Sequence, residues 1–118
     1  MGDASTPAGA TLNSANLTGA ALVGAVLADT TLDDARLAHA HLTGAHLTGA
    51  DLTRANLRGV TLAGANLNGA ILNDAILISA DLADANLTGA VAARLPSLEG
   101  WRVKDDGRIE RTPPAEGA

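Results

Sequence analysis

Three histidines, His39, His41 and His46, are the first candidates for metal ligands in this chain. Imidazole nitrogens ligate zinc and other transition metals, but a protein site needs three or four ligands at close range. His39 and His41 only flank Ala40, and further ligands are needed to complete a site. We therefore expect a solvated surface here, with no metal and no other cofactor.

Carboxylates and hydroxyls are the next candidates for chemistry. Acid–base catalysis could use a pair of aspartates, but it needs a desolvated cleft that shifts their pKa values. The regular repeat that carries all of these residues except Ser97 predicts a convex rod without a cleft, so we expect no catalytic residue and no enzymatic activity. The residues considered are Asp33 with Asp34, Asp81 with Asp84, and three serines without a neighbouring histidine, Ser14, Ser79 and Ser97.

The composition narrows the class of protein. A chain of 118 residues forms one small domain. Its hydrophobic share is 47%, but this consists almost wholly of Ala and Leu, with no Phe, no Tyr and one Trp. Globular cores normally rely on aromatic volume. These smaller side chains instead predict a narrow interior of constant cross-section.

Charge and hydropathy indicate the surroundings of the protein. A net charge of −5 disfavours direct nucleic-acid binding, which needs a basic face. We find neither an apolar run that could span a membrane nor a secretory signal, so we expect a cytoplasmic protein with no membrane partner. Seven Arg against one Lys, with abundant Ala and Gly, suggest a bacterial origin.

A five-residue repeat organises most of the chain. Leucine occupies all sixteen of the positions from Leu12 to Leu87 in steps of five. Two residues before each leucine lies a column that is alanine in fifteen of seventeen cases from Ala10 to Ala90, with Thr30 and Val60 as exceptions. Such regularity predicts a repeat architecture.

Neither a helix nor a simple strand can bury this leucine column. Five residues rotate a helix by about 140° beyond one full turn, which spreads the leucines around it. An odd period sends successive leucines of a strand to opposite faces. A short extended piece and a turn in every unit remain, and the Gly, Asn and Asp residues beside each leucine suit such turns.

The units closely resemble those of the pentapeptide-repeat family. The resemblance implies an all-β fold, a right-handed quadrilateral β-helix with four units per coil, Leu and Ala inside, and about four coils over residues 10–90. The motif Ala-(Asp/Asn)-Leu is carried by Ala50-Asp51-Leu52, Ala55-Asn56-Leu57, Ala65-Asn66-Leu67, Ala80-Asp81-Leu82 and Ala85-Asn86-Leu87.

If a coil takes twenty residues, side chains twenty apart stack on the outside. One outer column then places Arg54 between Asp34 and Asp74, which predicts a surface ion ladder. Three outward isoleucines on the last coil, Ile71, Ile76 and Ile78, predict a covered apolar patch. Either the chain's own tail or a second subunit covers it, or the three isoleucines are ordinary surface residues.

The two ends of the chain differ from the repeat. We expect residues 1–9 and 112–118 to be disordered, and residues 91–111 to form a cap with a β-hairpin. A three-residue turn at 105–107 pairs Val103 with Ile109 and Arg102 with Glu110. Further interaction or docking residues are expected to cap the last coil or to cover the isoleucines: Leu95, Leu98 and Trp101.

These features predict a non-enzymatic scaffold or protein-interaction module of unassigned partner, either a monomer or a dimer through its C-terminal end. The family resemblance implies an alternative, a DNA mimic that binds DNA gyrase and affects quinolone or toxin sensitivity. The repeat carries seven Asp against three Arg, a scattered charge that does not favour this alternative. A minimal solenoid without any partner is the third hypothesis.

Overall fold

The structure is a computed structural model, and it describes residues 11–92, 101–104 and 109–111. Every fifth residue from 11 to 91 forms an isolated parallel β-bridge with the residue twenty positions before or after it, from Thr11↔Thr31 to Ile71↔Val91, and those from 31 to 71 form both bridges. One coil therefore takes twenty residues, in four units that each end in a turn. No helix among the described residues has the length and apolar character to cross a membrane.

Backbone hydrogen bonds join each interior coil to both of its neighbours. The N–H of Leu52 donates to the carbonyl of Ile71 at 2.7 Å, in the following coil. In the other direction, the N–H of Asp51 donates to the carbonyl of Thr30 at 3.0 Å. Since buried backbone groups need partners, this two-sided ladder makes every coil dependent on the stack.

Each unit ends in a tight turn with one residue in the left-handed conformation. The carbonyl of Leu52 accepts a hydrogen bond from the N–H of Ala55 at 2.9 Å. At all sixteen turns the residue two after the leucine has a φ between 57° and 72°, which is typical of a type II turn. Glycine fills eight of these positions, and the others are Ser14, Asp29, Asp34, His39, Arg54, Asp74, Ser79 and Asp84.

The Asp or Asn before many of the leucines fixes the same turn. The Oδ1 of Asp51 accepts a hydrogen bond from the N–H of Thr53 at 3.0 Å. The Oδ1 of Asn86 does the same for the N–H of Thr88 at 2.9 Å. These side chains satisfy turn N–H groups locally, which explains the recurrence of Asp and Asn at this place in the unit.

Leucine and alanine fill the interior, as the repeat predicts. The leucines from Leu27 to Leu77 are only 0–2% exposed. By contrast, Leu12, Leu17 and Leu22 in the first coil are only partly buried. The leucines of the repeat are therefore fully buried inside the stack and partly exposed to solvent at its N-terminal end.

Thr30 is the one buried polar residue of the described interior. It is 0% exposed, and its Oγ1 has no hydrogen-bond partner. A hydroxyl buried in this way destabilises the fold, because it has lost its bonds to water without replacement.

The C-terminal segment forms a short antiparallel hairpin, strand β1 (Trp101–Val103) and strand β2 (Ile109–Arg111). Its pairs are Val103↔Ile109 and Arg102↔Glu110, which confirms the register predicted from a three-residue turn. The N–H of Ile109 donates to the carbonyl of Ala90 at 3.0 Å, and its side chain is buried in the same core cluster as the leucines.

The hairpin thus lies against the C-terminal end of the solenoid. Trp101 is partly buried and packs against the same core. The predicted contacts of Leu95 and Leu98, and the predicted disorder of residues 1–9 and 112–118, fall outside the described residues.

Candidate interaction surfaces

Arg54 forms the best-defined polar cluster on the outside of the solenoid. Its Nε donates to Asp34 Oδ1 at 3.0 Å, and its Nη2 donates to Asp34 Oδ2 at 3.2 Å. The same Nη2 donates to Asp33 Oδ1 at 2.9 Å. The twenty-residue coil brings Arg54 above Asp34, and the width of the guanidinium lets it reach the neighbouring carboxylate as well.

The electrostatics of this cluster follow from its neighbours. The hydrogen bond to Asp34 raises the pKa of Arg54 above its ordinary value, and the charges of Asp33, Asp34 and Asp74 add to this effect. The Arg54 and Asp34 side chains remain 54% and 50% exposed, so water screens the attraction strongly. The cluster neutralises part of an otherwise acidic column and leaves it accessible.

The three predicted patch residues lie on two adjacent faces of one coil. Ile71 bridges Asp51 and Val91, and Ile76 bridges Asn56. Ile71, Ile76 and Ile78 are each partly buried, unlike the inner leucines. We call these three residues the isoleucine patch. It is the largest departure from polar and small residues on the outer faces of the later coils.

The histidines occupy separate places on the outside. His39, His41 and His46 are all exposed, and the ring of His39 lies over Gly59 of the next coil. Within the described ranges, no group of three or more His, Cys, Asp or Glu side chains could hold a metal ion.

The family model for pentapeptide repeats matches residues 30–64 and 55–91, together more than half of the chain, with eight copies. This chain belongs to the pentapeptide-repeat family. Pentapeptide-repeat proteins are generally structural or interaction modules rather than enzymes. A comparison with curated protein sequences gives no significant match.

Solved pentapeptide-repeat proteins are similar over most of the chain, which supports a right-handed β-helix. Rfr23 from the cyanobacterium Cyanothece 51142 is 36% identical with a TM-score of 0.73, and the match covers 74% of this chain and 59% of Rfr23. A protein from Nostoc PCC 7120 is 34% identical with a TM-score of 0.50, over 72% of this chain and 62% of that one. This chain thus spans about three fifths of the length of these relatives.

A plasmid-mediated fluoroquinolone resistance protein, QnrB1, also matches, at 18% identity and a TM-score of 0.25. A likeness of that size carries no argument about function. The match covers 75% of this chain and 63% of QnrB1.

Sequence reasoning missed several features of this pentapeptide-repeat protein. Asp33 joins the ion cluster, although it lies 21 residues from Arg54 and only residues twenty apart were expected to stack. Ile109 is buried against the last coil, although the residues expected to cap that coil or to cover the isoleucines were Leu95, Leu98 and Trp101. At the other end, Val23 is 67% exposed and Val26 is 40% exposed. Their apolar type at outer positions was a visible signal for that surface.

Proposed function

We propose that this pentapeptide-repeat protein is a non-enzymatic interaction module that displays rigid columns of side chains to a protein partner. The observation that carries the proposal is the double restraint on the outer residues. Each unit is held by ladders to its neighbouring coils and by a turn of fixed φ. A partner therefore binds a surface whose backbone loses little conformational entropy on association.

The isoleucine patch is the part of this surface that best suits a protein partner. Interface cores are enriched in large apolar side chains and depleted in charge, with polar groups at the rim. Ile71 and Ile76 follow Asp51 and Asn56 along their columns, so a polar rim adjoins the patch on the side of the preceding coil. We place the centre of the binding surface on Ile76 and Ile78.

The test uses the purified full-length chain as bait and compares two double variants. Ile76→Asp with Ile78→Asp places charge in the patch. Thr43→Asp with Thr48→Asp places the same charge at exposed positions on the two other faces of the solenoid, away from the patch and its polar rim. Circular dichroism checks that each variant folds.

We expect partners to be retained by the wild type and by the Thr43/Thr48 variant, and lost from the Ile76/Ile78 variant. Equal retention by all three baits means that the isoleucine patch is not the binding surface. No specific partner for any bait argues against an interaction module.

A gyrase-directed DNA mimic is the alternative, and the charge arrangement does not support it. A mimic needs a continuous acidic stripe, whereas Arg54 interrupts the column of Asp34 and Asp74 and binds Asp33 too. A gyrase supercoiling assay, with and without a quinolone, decides the matter. Inhibition of supercoiling or protection from drug-induced cleavage supports the mimic.

A further inference from the structure

The N-terminal part of the solenoid carries no charge. Residues 4–28 contain no Asp, Glu, Lys, Arg or His, although charged residues make up 18% of the chain. This stretch includes nearly all of the first described coil. Charge begins at Asp29 and continues with Asp33 and Asp34 on the next coil. Depletion of charge over nearly a whole coil is typical of an interface core rather than of a solvated surface.

The same coil is the most exposed apolar part of the described molecule. Val23 and Val26 are the exposed large hydrophobic residues among those described, at 67% and 40%. Leu12, Leu17 and Leu22 are partly buried, although Leu27, one unit later, is 1% exposed. The leucines at this end lack the described coil that covers their counterparts elsewhere.

The backbone of this coil also ends a hydrogen-bond ladder. One coil later, the N–H of His41 donates to the carbonyl of Ala20 at 2.9 Å, and the N–H of His46 donates to that of Ala25 at 2.8 Å. The equivalent N–H groups of Ala21 and Val26 have no acceptor among the described residues. These N–H donors, which have no acceptor in the described part of the chain, lie beside apolar side chains as at a sheet edge, and sheet edges pair with other strands.

The opposite end of the solenoid is already occupied. Strand β2 of the hairpin bonds to Ala90 through Ile109, and the Ile109 side chain is buried there. A head-to-tail stack of chains would have to displace this strand. Two N-terminal ends, in contrast, can meet about a two-fold axis, and such an isologous contact closes at two copies.

We propose that the first coil is a dimerisation surface, at which two copies of this chain associate end to end through their N-terminal coils. The charge distribution favours this occupant, because each chain carries −5 but brings to the junction a coil whose one charged residue is Asp29. Only one coil of each copy takes part, so the dissociation constant is expected to be on the order of 10 µM. This surface is separate from the isoleucine patch, and neither proposal depends on the other.

Sedimentation velocity of the full chain between about 1 µM and about 1 mM tests the proposal directly. We expect a monomer–dimer equilibrium without larger species. Raising the salt concentration to about 1 M should leave the dimer as strong or strengthen it, because screening weakens the repulsion between two acidic chains.

Two pairs of substitutions locate the contact. Val23→Asp with Val26→Asp adds two like charges to the first coil of each copy, and we expect association to weaken at least about tenfold. Thr43→Asp with His46→Asp changes the same columns one coil further on, and association should stay within about twofold of wild type. All four positions are exposed, so both variants should keep the circular dichroism spectrum of the wild type.

A monomer at every concentration overturns the proposal, as do species larger than a dimer or equal weakening by both pairs. A chain without residues 1–9 adds a further decision. If only this shortened chain dimerises, the N-terminal segment of the same chain covers the edge, and the proposal is wrong. Partner binding at the isoleucine patch is tested separately, because the Val23/Val26 variant should still retain any partner that binds the patch.

Discussion

The leucine column and the turn column run along the same solenoid with the same period, yet they accept different side chains. Leucine fills all sixteen positions of its own column, from Leu12 to Leu87. The sixteen turn positions, two residues later, hold eight glycines and eight residues of four other types. Loss of a buried leucine costs about 2–5 kcal/mol, whereas a left-handed non-glycine residue costs roughly 1–2 kcal/mol. The difference shows that packing fixes residue type in this fold, while backbone strain only biases it.

The largest expected effect comes from the leucine column in mid-stack. Leu52→Ala should lower the free energy of unfolding by about 2–5 kcal/mol, because Leu52 is 1% exposed and the cavity cannot fill with solvent. Leu17→Ala, in the partly wet first coil, should cost only about 1 kcal/mol. Denaturant unfolding followed by circular dichroism measures both. Equal costs would mean that the first coil is as well covered as the middle.

Thr30 is an inner residue that lowers the stability of the fold. Thr30→Val should raise the free energy of unfolding by about 1–2 kcal/mol, because the methyl replaces a buried hydroxyl without a partner. Val60 shows that valine fits an inward position of this kind, since it is 0% exposed. Thr30→Ser keeps the hydroxyl and serves as the control, which should not stabilise. A Thr30→Val protein no more stable than wild type indicates that the hydroxyl has found a partner, such as a buried water.

Substitutions at the turn positions should change the free energy of unfolding less than those in the leucine column, because they do not alter packing. Gly44 has a φ of 67°, and nothing lies within 4 Å of the place that a Cβ would take. Gly44→Ala should therefore cost about 1 kcal/mol, from backbone strain alone. Thermal unfolding provides the measurement. A cost above that of Leu17→Ala would reverse the order of the two columns at the N-terminal end.

The smallest effects separate strain from the ion cluster. Ser79→Gly should stabilise by about 0.5 kcal/mol, because it relieves a φ of 62° at an exposed position. Arg54→Gly relieves a similar φ of 58° but also removes the bonds to Asp33 and Asp34. The midpoint temperature of its thermal unfolding should therefore rise less than that of Ser79→Gly. Salt at about 1 M should bring the two midpoint shifts together. A gap that persists in salt would show that the Arg54 contacts are not chiefly electrostatic.

Much of this architecture could be predicted from the sequence. The five-residue period requires a buried leucine and a turn in every unit, and both are present. The period alone does not give the length of a coil; the family resemblance supplied twenty residues, and the bridge from Thr31 to Asp51 confirms that number. The hairpin register followed from matching Val103 with Ile109.

The contacts that were missed depend on geometry that spacing does not encode. A guanidinium spans two carboxylates, so Arg54 reaches Asp33 as well as the stacked Asp34. Ile109 enters the core because β2 bonds directly to Ala90, a contact between distant segments. The sequence shows Thr30 only as one of two exceptions in the alanine column. The structure adds that its buried hydroxyl has no hydrogen-bond partner.

The coil of twenty residues and the unit of five have a genetic consequence. An insertion of five codons leaves every downstream leucine facing the axis, so the same side chains still fill the core. It nevertheless turns all later outer positions onto the next face. Placed between Asp34 and Arg54, such an insertion would separate this pair, which now meets at 3.0 Å. Only insertions of twenty codons keep both the inner columns and the outer columns on their faces. The interior of this molecule can therefore change length in steps of five residues, whereas its binding faces can change only in steps of twenty.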